Sequence, residues 1–280
     1  MKNTLYIFLF SLFIVSCTEE IDFDLNTEAS RLVVEGEIST ARAKHLVKLT
    51  KTTSYFNDEE APLVTDALIT ISDGDTTWSL VEEKPGHYYT PYILPIPNKT
   101  YSLNIVSDGE TYTASDYMET TLTVDSINVK KDLEFDFEEN EELPFYSIFL
   151  FAEEPSGLGD GYVWKYWIKK PDTAWKDMTP RFLDWAYTDD EFIDGNRPDD
   201  GWEIFGYIPL DEFPKGTEIR MESYRVSTIY IDFLYAMQAQ TDRTGFFDGP
   251  PANIPSNVSN GALGFFSAVA VDTSRVTVLN

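Results

Sequence analysis

Carboxylates are by far the most abundant chemically active side chains in this sequence, with 48 Asp and Glu against 21 Lys and Arg. Two carboxylates placed on either side of a glycosidic bond can cleave it, one as general acid and the other as nucleophile or base. At this abundance chance pairs are numerous, and no pair stands out by its spacing. A glycan-active hydrolase is therefore kept as an alternative hypothesis, and no catalytic residue is predicted.

Imidazole and thiol groups are scarce, because the chain has two histidines and one cysteine. His45 alternates with Val47 and Leu49 in a strand-like pattern, and His87 follows the turn residues Pro85-Gly86. Both histidines are predicted to be structural or exposed and not the base of a catalytic triad. No glycine-rich phosphate loop or Gly-x-Ser-x-Gly motif occurs. The sequence thus favours a protein that binds without catalysis and without a cofactor.

The acidic stretch between residues 189 and 201 offers oxygen ligands of the kind that calcium prefers. Its calcium candidates are Asp189, Asp190 and Asp194. Their spacing does not match the EF-hand loop, and acidic loops are commonly solvated. The favoured interpretation is a solvated loop without a metal.

Four aromatic residues lie in or beside the same irregular segment: Trp175, Trp185, Tyr187 and Trp202. Aromatic faces can stack on sugar rings or bury part of a peptide, and they anchor many interfaces. These residues are the candidates for contact with a glycan or peptide ligand, or with a protein partner. The competing interpretation is a small core that pins long loops.

The N-terminus carries the features of a signal peptide, with Lys2 followed by an apolar run from Leu5 to Val15. The run is shorter than the ~20 residues that a membrane-spanning helix needs. It ends in Ile14-Val15-Ser16-Cys17, which resembles the lipobox of bacterial lipoproteins. That resemblance implies cleavage after residue 16, attachment of diacylglycerol to Cys17, and acylation of the new amino group, as with palmitate. Several acyl chains would make a stable anchor.

Residues 17–30 are predicted to form an acidic tether, because four carboxylates lie between Thr18 and Asp24. The run Thr18-Glu19-Glu20-Ile21-Asp22-Phe23-Asp24 resembles the surface-export signal of Bacteroidetes lipoproteins. The predicted location is the outer membrane, facing the cell exterior. A lipoprotein that faces the periplasm is the alternative, with the acidic run acting only as a solvated tether.

The net charge of −27 excludes nucleic acid as a partner, because both molecules would be strongly negative. Period-two alternation from Arg31 onward, with turns such as Asp73-Gly74-Asp75, predicts six or seven short strands. Residues 31–123 are therefore predicted to form a β-sandwich of immunoglobulin-like or transthyretin-like character. Residues 124–280 are predicted to form a second β-rich domain with one amphipathic helix near 228–240.

Within the second domain, the nearly continuous apolar run from Phe145 to Ala152 predicts a strand covered on both sides. A further strand is predicted whose core face is formed by Tyr162, Trp164, Tyr166 and Ile168. Strands are also predicted at Glu203–Ile208 and Glu218–Val226, and the segment from Asp172 to Gly201 is predicted to form long loops. In the predicted helix, Ser227 or Thr228 is the cap, and the apolar stripe includes Ile229, Phe233 and Met237.

Several segments of the chain resemble a Bacteroidetes lipoprotein family catalogued as domain of unknown function 4249. They are Leu32-Val33-Val34-Glu35-Gly36, Val64-Thr65-Asp66-Ala67, residues 224–240, and above all the stretch from Pro255 to Ala268 with its Asn260-Gly261-Ala262-Leu263-Gly264-Phe265-Phe266 pattern. The resemblance covers essentially the mature chain. It implies an outer-membrane lipoprotein, often produced with a TonB-dependent transporter, and it supplies no catalytic residues.

Taken together, these features predict a mainly β, two-domain lipoprotein that binds a ligand or serves as an accessory of a TonB-dependent nutrient-uptake system. The alternatives are the glycan hydrolase and a structural or adhesion protein of the envelope.

Overall fold

The computed structural model describes residues 30–53, 60–136, 141–241 and 254–279. Within these ranges the chain is mainly β, with several sheets and one α-helix, as the sequence predicted. The signal peptide, Cys17 and residues 17–29 of the predicted tether lie outside the described residues. No helix in the described ranges has the length and hydropathy needed to cross a bilayer.

Sixteen strands and the helix α1 (Thr228–Thr241) are found in the described ranges. The strands are β1 (Leu32–Ser39), β2 (Leu46–Lys51), β3 (Leu68–Ser72), β4 (Thr77–Ser79), β5 (Val81–Lys84), β6 (His87–Tyr89), β7 (Lys99–Ser107), β8 (Glu110–Met118), β9 (Val124–Asp136), β10 (Glu141–Ala152), β11 (Asp160–Lys169), β12 (Lys176–Asp177), β13 (Ala186–Asp189), β14 (Trp202–Pro209), β15 (Glu218–Ser227) and β16 (Leu263–Thr277).

A nine-stranded sheet runs through the whole described fold in the order β12-β11-β15-β16-β1-β2-β6-β5, with β13 also paired to β11. The predicted boundary at residues 123 and 124 falls between β8 and β9. The long strand β16 joins the two parts of this sheet, because it pairs in parallel with β1 and then antiparallel with β15. Gly264 makes the first contact possible: a Cβ there would lie 2.0 Å from the backbone oxygen of Val34.

The first hydrophobic core lies between the large sheet and a four-stranded sheet of order β4-β3-β7-β8. Alternation along the strands builds it: Val34 and Ile38 of β1 point inward, as do Ile69 and Ile71 of β3. The alternating faces predicted from the sequence are thus the faces that the structure buries.

The second core lies between β11 and β15 of the large sheet and a three-stranded sheet of order β14-β10-β9. The predicted inward face of β11 is confirmed, because Tyr162, Trp164, Tyr166 and Ile168 are all buried in this core. The prediction that β10 is covered on both sides was wrong. Its Phe149 and Phe151 are only half-buried, because the ammonium of Lys130 covers their rings at 4.0 and 5.6 Å instead of a further sheet.

Two short strands, β12 and β13, lie inside the segment that the sequence predicted as long loops. Both pair with β11: β12 forms a short hairpin with it, and β13 returns to it across a longer connection. Strands of two and four residues are too short to show a period-two pattern in the sequence. The predicted strands around Glu203–Ile208 and Glu218–Val226 are present as β14 and β15.

Helix α1 covers the outer face of the large sheet, opposite the second core, and follows β15 without a linker. The predicted apolar stripe was wrong at Ile229, which is 58% exposed, whereas Ile231 and Leu234 are buried. The direct connection to β15 sets the rotation of the helix. Gly161 of β11 provides the space, because a Cβ there would lie 2.5 Å from Cγ1 of Ile231.

Candidate functional site

A cavity of about 240 Å³, here called the inner cavity, lies between β11, β13 and β14 on the core side of the large sheet. The residues that line it include the aromatic side chains of Tyr162, Trp164 and Trp202, the aliphatic side chains of Leu122, Ala186, Ile193 and Ile204, and the carboxylates of Glu154 and Glu203. The rings of Tyr162 and Trp164 stack with their centroids 5.8 Å apart. The inner cavity therefore has an aromatic wall with two carboxylates at its border.

Trp164 has an unusual polar group for a core residue. The side chain is 5% exposed, and its indole N–H has no hydrogen-bond partner among the described residues. A buried donor without an acceptor costs free energy, so such groups normally find a partner in protein, water or ligand. The indole nitrogen itself is fully buried, so this donor stays unpaired within the described residues although other atoms of Trp164 border the inner cavity.

Three buried carboxylates lie beside the inner cavity, with one ligand oxygen each of Glu154, Asp160 and Asp190 within 4.8 Å of one another. Asp160 is paired with Arg225, whose Nη2 lies 2.6 Å from both carboxylate oxygens. Asp190 accepts hydrogen bonds from the backbone N–H groups of Gly159 and Asp160. Three such carboxylates could hold a metal ion, but here a cation and backbone donors already satisfy two of them.

The third carboxylate, Glu154, is 2% exposed and accepts hydrogen bonds from the Tyr162 hydroxyl, at 3.0 Å, and from the N–H of Gly195. Burial raises the pKa of Glu154, and the neighbouring charges of Asp160 and Asp190 add to the rise. Both oxygens of Glu154 thus have partners, and the group favours its protonated form more than a free glutamate does.

The calcium candidates of the sequence are not brought together. Asp190 belongs to the carboxylate cluster, whereas Asp194 accepts a hydrogen bond from the N–H of Gly157 at 2.6 Å. Asp189 accepts one from the N–H of Glu191 at 3.2 Å. Asp189 and Asp194 therefore serve as turn-capping groups, and the sequence missed Glu154 and Asp160 because they lie far from Asp190 along the chain.

A second, larger depression of about 1210 Å³, here called the outer groove, lies on the opposite face of the large sheet beside α1. Its helix wall includes Tyr230, Phe233 and Met237, and its sheet wall includes Val33, Glu35, Glu37, Leu263 and Phe265. The rings of Tyr230 and Phe233 lie 5.0 and 5.3 Å from that of Phe265, measured between centroids. The groove thus has an aromatic floor.

Charged side chains form the rim of the outer groove. Lys48 donates to Glu35 at 2.9 Å, and Lys44 pairs with Glu83. These side chains are between about one third and three fifths exposed, so their pairs are only weakly stabilising. The rim is therefore polar but close to neutral.

His45 is buried near one end of the outer groove, with its Nδ1 accepting from the N–H of Ser39 at 3.3 Å. Burial lowers the pKa of His45 to about 4, so the imidazole is neutral at physiological pH. Its Nε2 has no partner among the described residues. His87 lies elsewhere, with Nδ1 2.8 Å from the carbonyl oxygen of Pro85.

The four aromatic candidates are separated by the fold. Trp202 borders the inner cavity and Trp185 borders the outer groove. Trp175 lies elsewhere, with the guanidinium carbons of Arg220 and Arg275 at 5.4 and 5.6 Å from its ring centroid. Tyr187 also borders the inner cavity, but its hydroxyl donates to Gln238 of α1.

Trp185 is held in place by protein contacts. Its Nε1 donates to the carbonyl of Thr179 at 3.1 Å, and the ammonium of Lys165 lies 3.7 Å from its ring centroid. The four aromatics do not form one contact surface. Trp164 was predicted as a core residue from its alternation, and only its unpaired indole N–H distinguishes it in the structure. Phe265 was not among the predicted contact residues, and only the folded outer groove identifies it.

A family described as domain of unknown function (DUF4249) matches residues 18–275 of the chain. The search of curated proteins found no match to the chain.

Proposed function

The chain belongs to this family of proteins with a domain of unknown function (DUF4249), and from that premise we propose that it is an outer-membrane lipoprotein that works by binding. In this proposal, acyl chains on Cys17 hold the protein on the outer membrane, facing the cell exterior. The protein is an accessory component of a TonB-dependent nutrient-uptake system.

The observation that carries this proposal is the outer groove. Pockets for drug-sized ligands occupy about 300–1,000 Å³, and the groove exceeds that range at about 1210 Å³. A cleft of this size suits a segment of a larger molecule. Tyr230 and Phe233 of its helix wall are only half-buried, and their rings stack with centroids 6.0 Å apart. Aromatic residues of this kind are enriched at protein interfaces.

The charges of the chain narrow the kind of segment that the groove would accept. The whole chain carries −27, so an acidic partner is repelled at a distance. The rim pair of Lys48 and Glu35 leaves the groove itself close to neutral. We therefore propose an apolar segment with neutral or basic flanks as the occupant, such as an exposed loop of the transporter.

Binding is favoured over hydrolysis by the state of the buried carboxylates. Asp160 is engaged by Arg225, and both oxygens of Glu154 accept hydrogen bonds. A general acid must deliver its proton to the substrate, and Glu154 is only 2% exposed, so a substrate does not reach it. The envelope-adhesion alternative is distinguished by attachment assays, because it requires no transporter.

The test is capture of the lipidated protein from native outer membranes in mild detergent. The wild-type protein should co-purify with a TonB-dependent transporter, and Phe233→Ala with Met237→Ala should reduce the yield at least several-fold. Asp232→Asn is the matched control, because Asp232 is an exposed residue of the same helix that does not line the groove. Its capture should equal that of the wild type.

Two results would count against the proposal. If the wild-type protein is recovered alone, the accessory role fails. If the protein is labelled by a membrane-impermeant reagent only after cell lysis, the location on the cell exterior fails.

A further inference from the structure

Two arginines lie side by side on the outer face of the large sheet. Arg220 of β15 and Arg275 of β16 are register partners in the antiparallel pairing of these strands. Their chain neighbours Ile219, Met221 and Val276 pack in or against the second core, so both arginines point to the outer face. Arg275 is exposed, and the side chain of Arg220 is 26% exposed. Both guanidinium groups therefore lie where a ligand can reach them.

The charges around this pair are not balanced. Like charges placed directly opposite each other on neighbouring strands repel. Arg220 has a nearby acid, because its Nε lies 3.7 Å from Glu222. Arg275 forms no ion pair within the part of the chain that the structure describes, and Glu218 is already held by Lys169 at 2.8 Å. One guanidinium thus remains without an acidic partner in a chain of net charge −27.

Two tryptophans border the arginines. The guanidinium carbon of Arg220 lies 4.3 Å from the ring centroid of Trp167, and those of Arg220 and Arg275 lie 5.4 and 5.6 Å from that of Trp175. Both rings are only half-buried. Indole rings and guanidinium planes both stack on flat apolar groups. The patch therefore combines cationic donors with open surfaces for a planar ring.

These features select the charge of the ligand. Guanidinium groups bind carboxylates through paired, charge-assisted hydrogen bonds. The single unpaired cation, Arg275, matches a single negative charge, and Glu218 and Glu222 on either side of Arg220 disfavour a more highly charged anion. The negative charge of the rest of the chain repels a small monoanion only weakly, because salt screens charges beyond about 8 Å.

We infer that this patch, here called the arginine patch, binds a small aromatic carboxylate, with its carboxylate at Arg275 and its ring against Trp175. The arginine patch is separate from the outer groove, because Trp175, Arg220 and Arg275 do not line that groove. The inference goes beyond the proposed function, and it gives the protein a small-molecule ligand in addition to a protein partner.

The test uses the detergent-solubilised full chain with benzoate as the probe. Ligand-detected NMR and titration calorimetry should show saturable binding that weakens as NaCl is added. Acetate carries the carboxylate without a ring, and benzamide carries the ring without a charge. Each should bind at least ten-fold more weakly than benzoate.

Variants of exposed and half-buried residues locate the site. Arg275→Gln should weaken benzoate binding at least ten-fold, as expected for the loss of charge-assisted hydrogen bonds. Trp175→Leu should weaken it several-fold through the lost ring contact. Arg197→Gln is the matched control, because it changes the net charge equally at an exposed arginine that already pairs with Asp125 at 2.7 Å. Its affinity for benzoate should equal that of the wild type.

Three results would overturn the inference. Benzoate shows no saturable binding to the wild type, or it binds Arg275→Gln as tightly as the wild type, so that the site lies elsewhere. In the third, acetate binds as tightly as benzoate, and the patch then attracts anions without recognising a ring. Should Trp175→Leu fail to fold, Arg275→Gln with a native circular dichroism spectrum decides the question.

Discussion

The inner cavity and the outer groove lie on opposite faces of the same nine-stranded sheet. The ion pairs beside them differ in how far they are buried. Beside the cavity, Asp160 and Arg225 form a bidentate pair that is almost completely buried. At the groove, Lys48 and Glu35 form a pair that water reaches. The buried pair on the inner face stabilises the fold, whereas the solvent-accessible pair on the outer face can exchange its contacts when a partner binds.

The largest expected effect on stability comes from a substitution in the sheet that both sites share. Gly264 has φ +88°, and a Cβ there would lie 2.0 Å from the carbonyl oxygen of Val34. Backbone cannot move aside as a side chain can, so Gly264→Ala should lower the free energy of unfolding by more than about 4 kcal/mol. Urea denaturation measures this loss.

Gly261→Ala is the control for that experiment. Gly261 also has positive φ, at +70°, but nothing lies within 4 Å of its would-be Cβ. The expected loss is only about 1–2 kcal/mol, for the left-handed backbone alone. Equal losses in the two variants would refute the close approach of β16 to β1.

The buried pair beside the inner cavity should give the next largest effect. Arg225→Leu leaves the carboxylate of Asp160 buried without its cation, and breaking such a pair costs about 3–5 kcal/mol. Adding Asp160→Asn should recover part of the loss, because the second change removes the stranded charge. A double variant that is less stable than Arg225→Leu alone would contradict this account.

Buried ionisable groups beside the first core should also shape the pH dependence of stability. Burial lowers the pKa of His45 from 6.5 to about 4. The unfolded chain therefore binds a proton at a higher pH than the folded one, and stability is lost as the pH falls from 6.5 towards 4. Burial raises the pKa of Asp116 from 3.8 to about 6. Here stability is lost as the pH rises from 3.8 towards 6, so the two contributions oppose each other.

Single variants separate these opposing contributions, each of which is at most about 3 kcal/mol. Compared with the wild type, His45→Gln should gain relative stability as the pH falls through this window, and Asp116→Asn should lose it. Urea midpoints across the window measure both. Parallel curves for the wild type and the two variants would show that neither group titrates differently on folding.

The sequence was sufficient to predict the elements whose signal is local. Period-two alternation located the buried faces of β1 and β11, and a capped apolar segment located α1. The rotation of α1 was not predictable, because the space at Gly161 that admits Ile231 comes from another strand. The parallel pairing of β1 with β16 joins segments from the two ends of the chain.

The candidate sites were harder to predict from the sequence than the fold, for the same reason. The carboxylate cluster gathers Glu154, Asp160 and Asp190 from separate segments, so only one of the three could be suspected from the acidic run. Trp164 was predicted as an ordinary core residue, because alternation reports burial and does not report whether an indole N–H has a partner. Contacts that depend on folding are absent from any local pattern.

The smallest expected effect is at the rim of the outer groove, and it sharpens the comparison most directly. Lys48→Met removes the ammonium that pairs with Glu35 but keeps an apolar stem of similar length. The side chains of this pair are 34% and 58% exposed, so Glu35 can be solvated by water after the change. Exposed pairs contribute about 0.2–1 kcal/mol, and the loss in urea denaturation should stay within that range.

The same variant also separates a binding role from a structural one at the rim. If Lys48 only contributes to partner recognition, Lys48→Met should alter transporter capture and its dependence on salt while stability remains nearly constant. Lys51→Met is the matched control, because Lys51 forms a similarly exposed pair with Asp108 and does not line the groove. A stability loss for Lys48→Met as large as that for Arg225→Leu would mean that the rim is as structural as the buried pair, and the contrast between the two faces of the sheet would no longer hold.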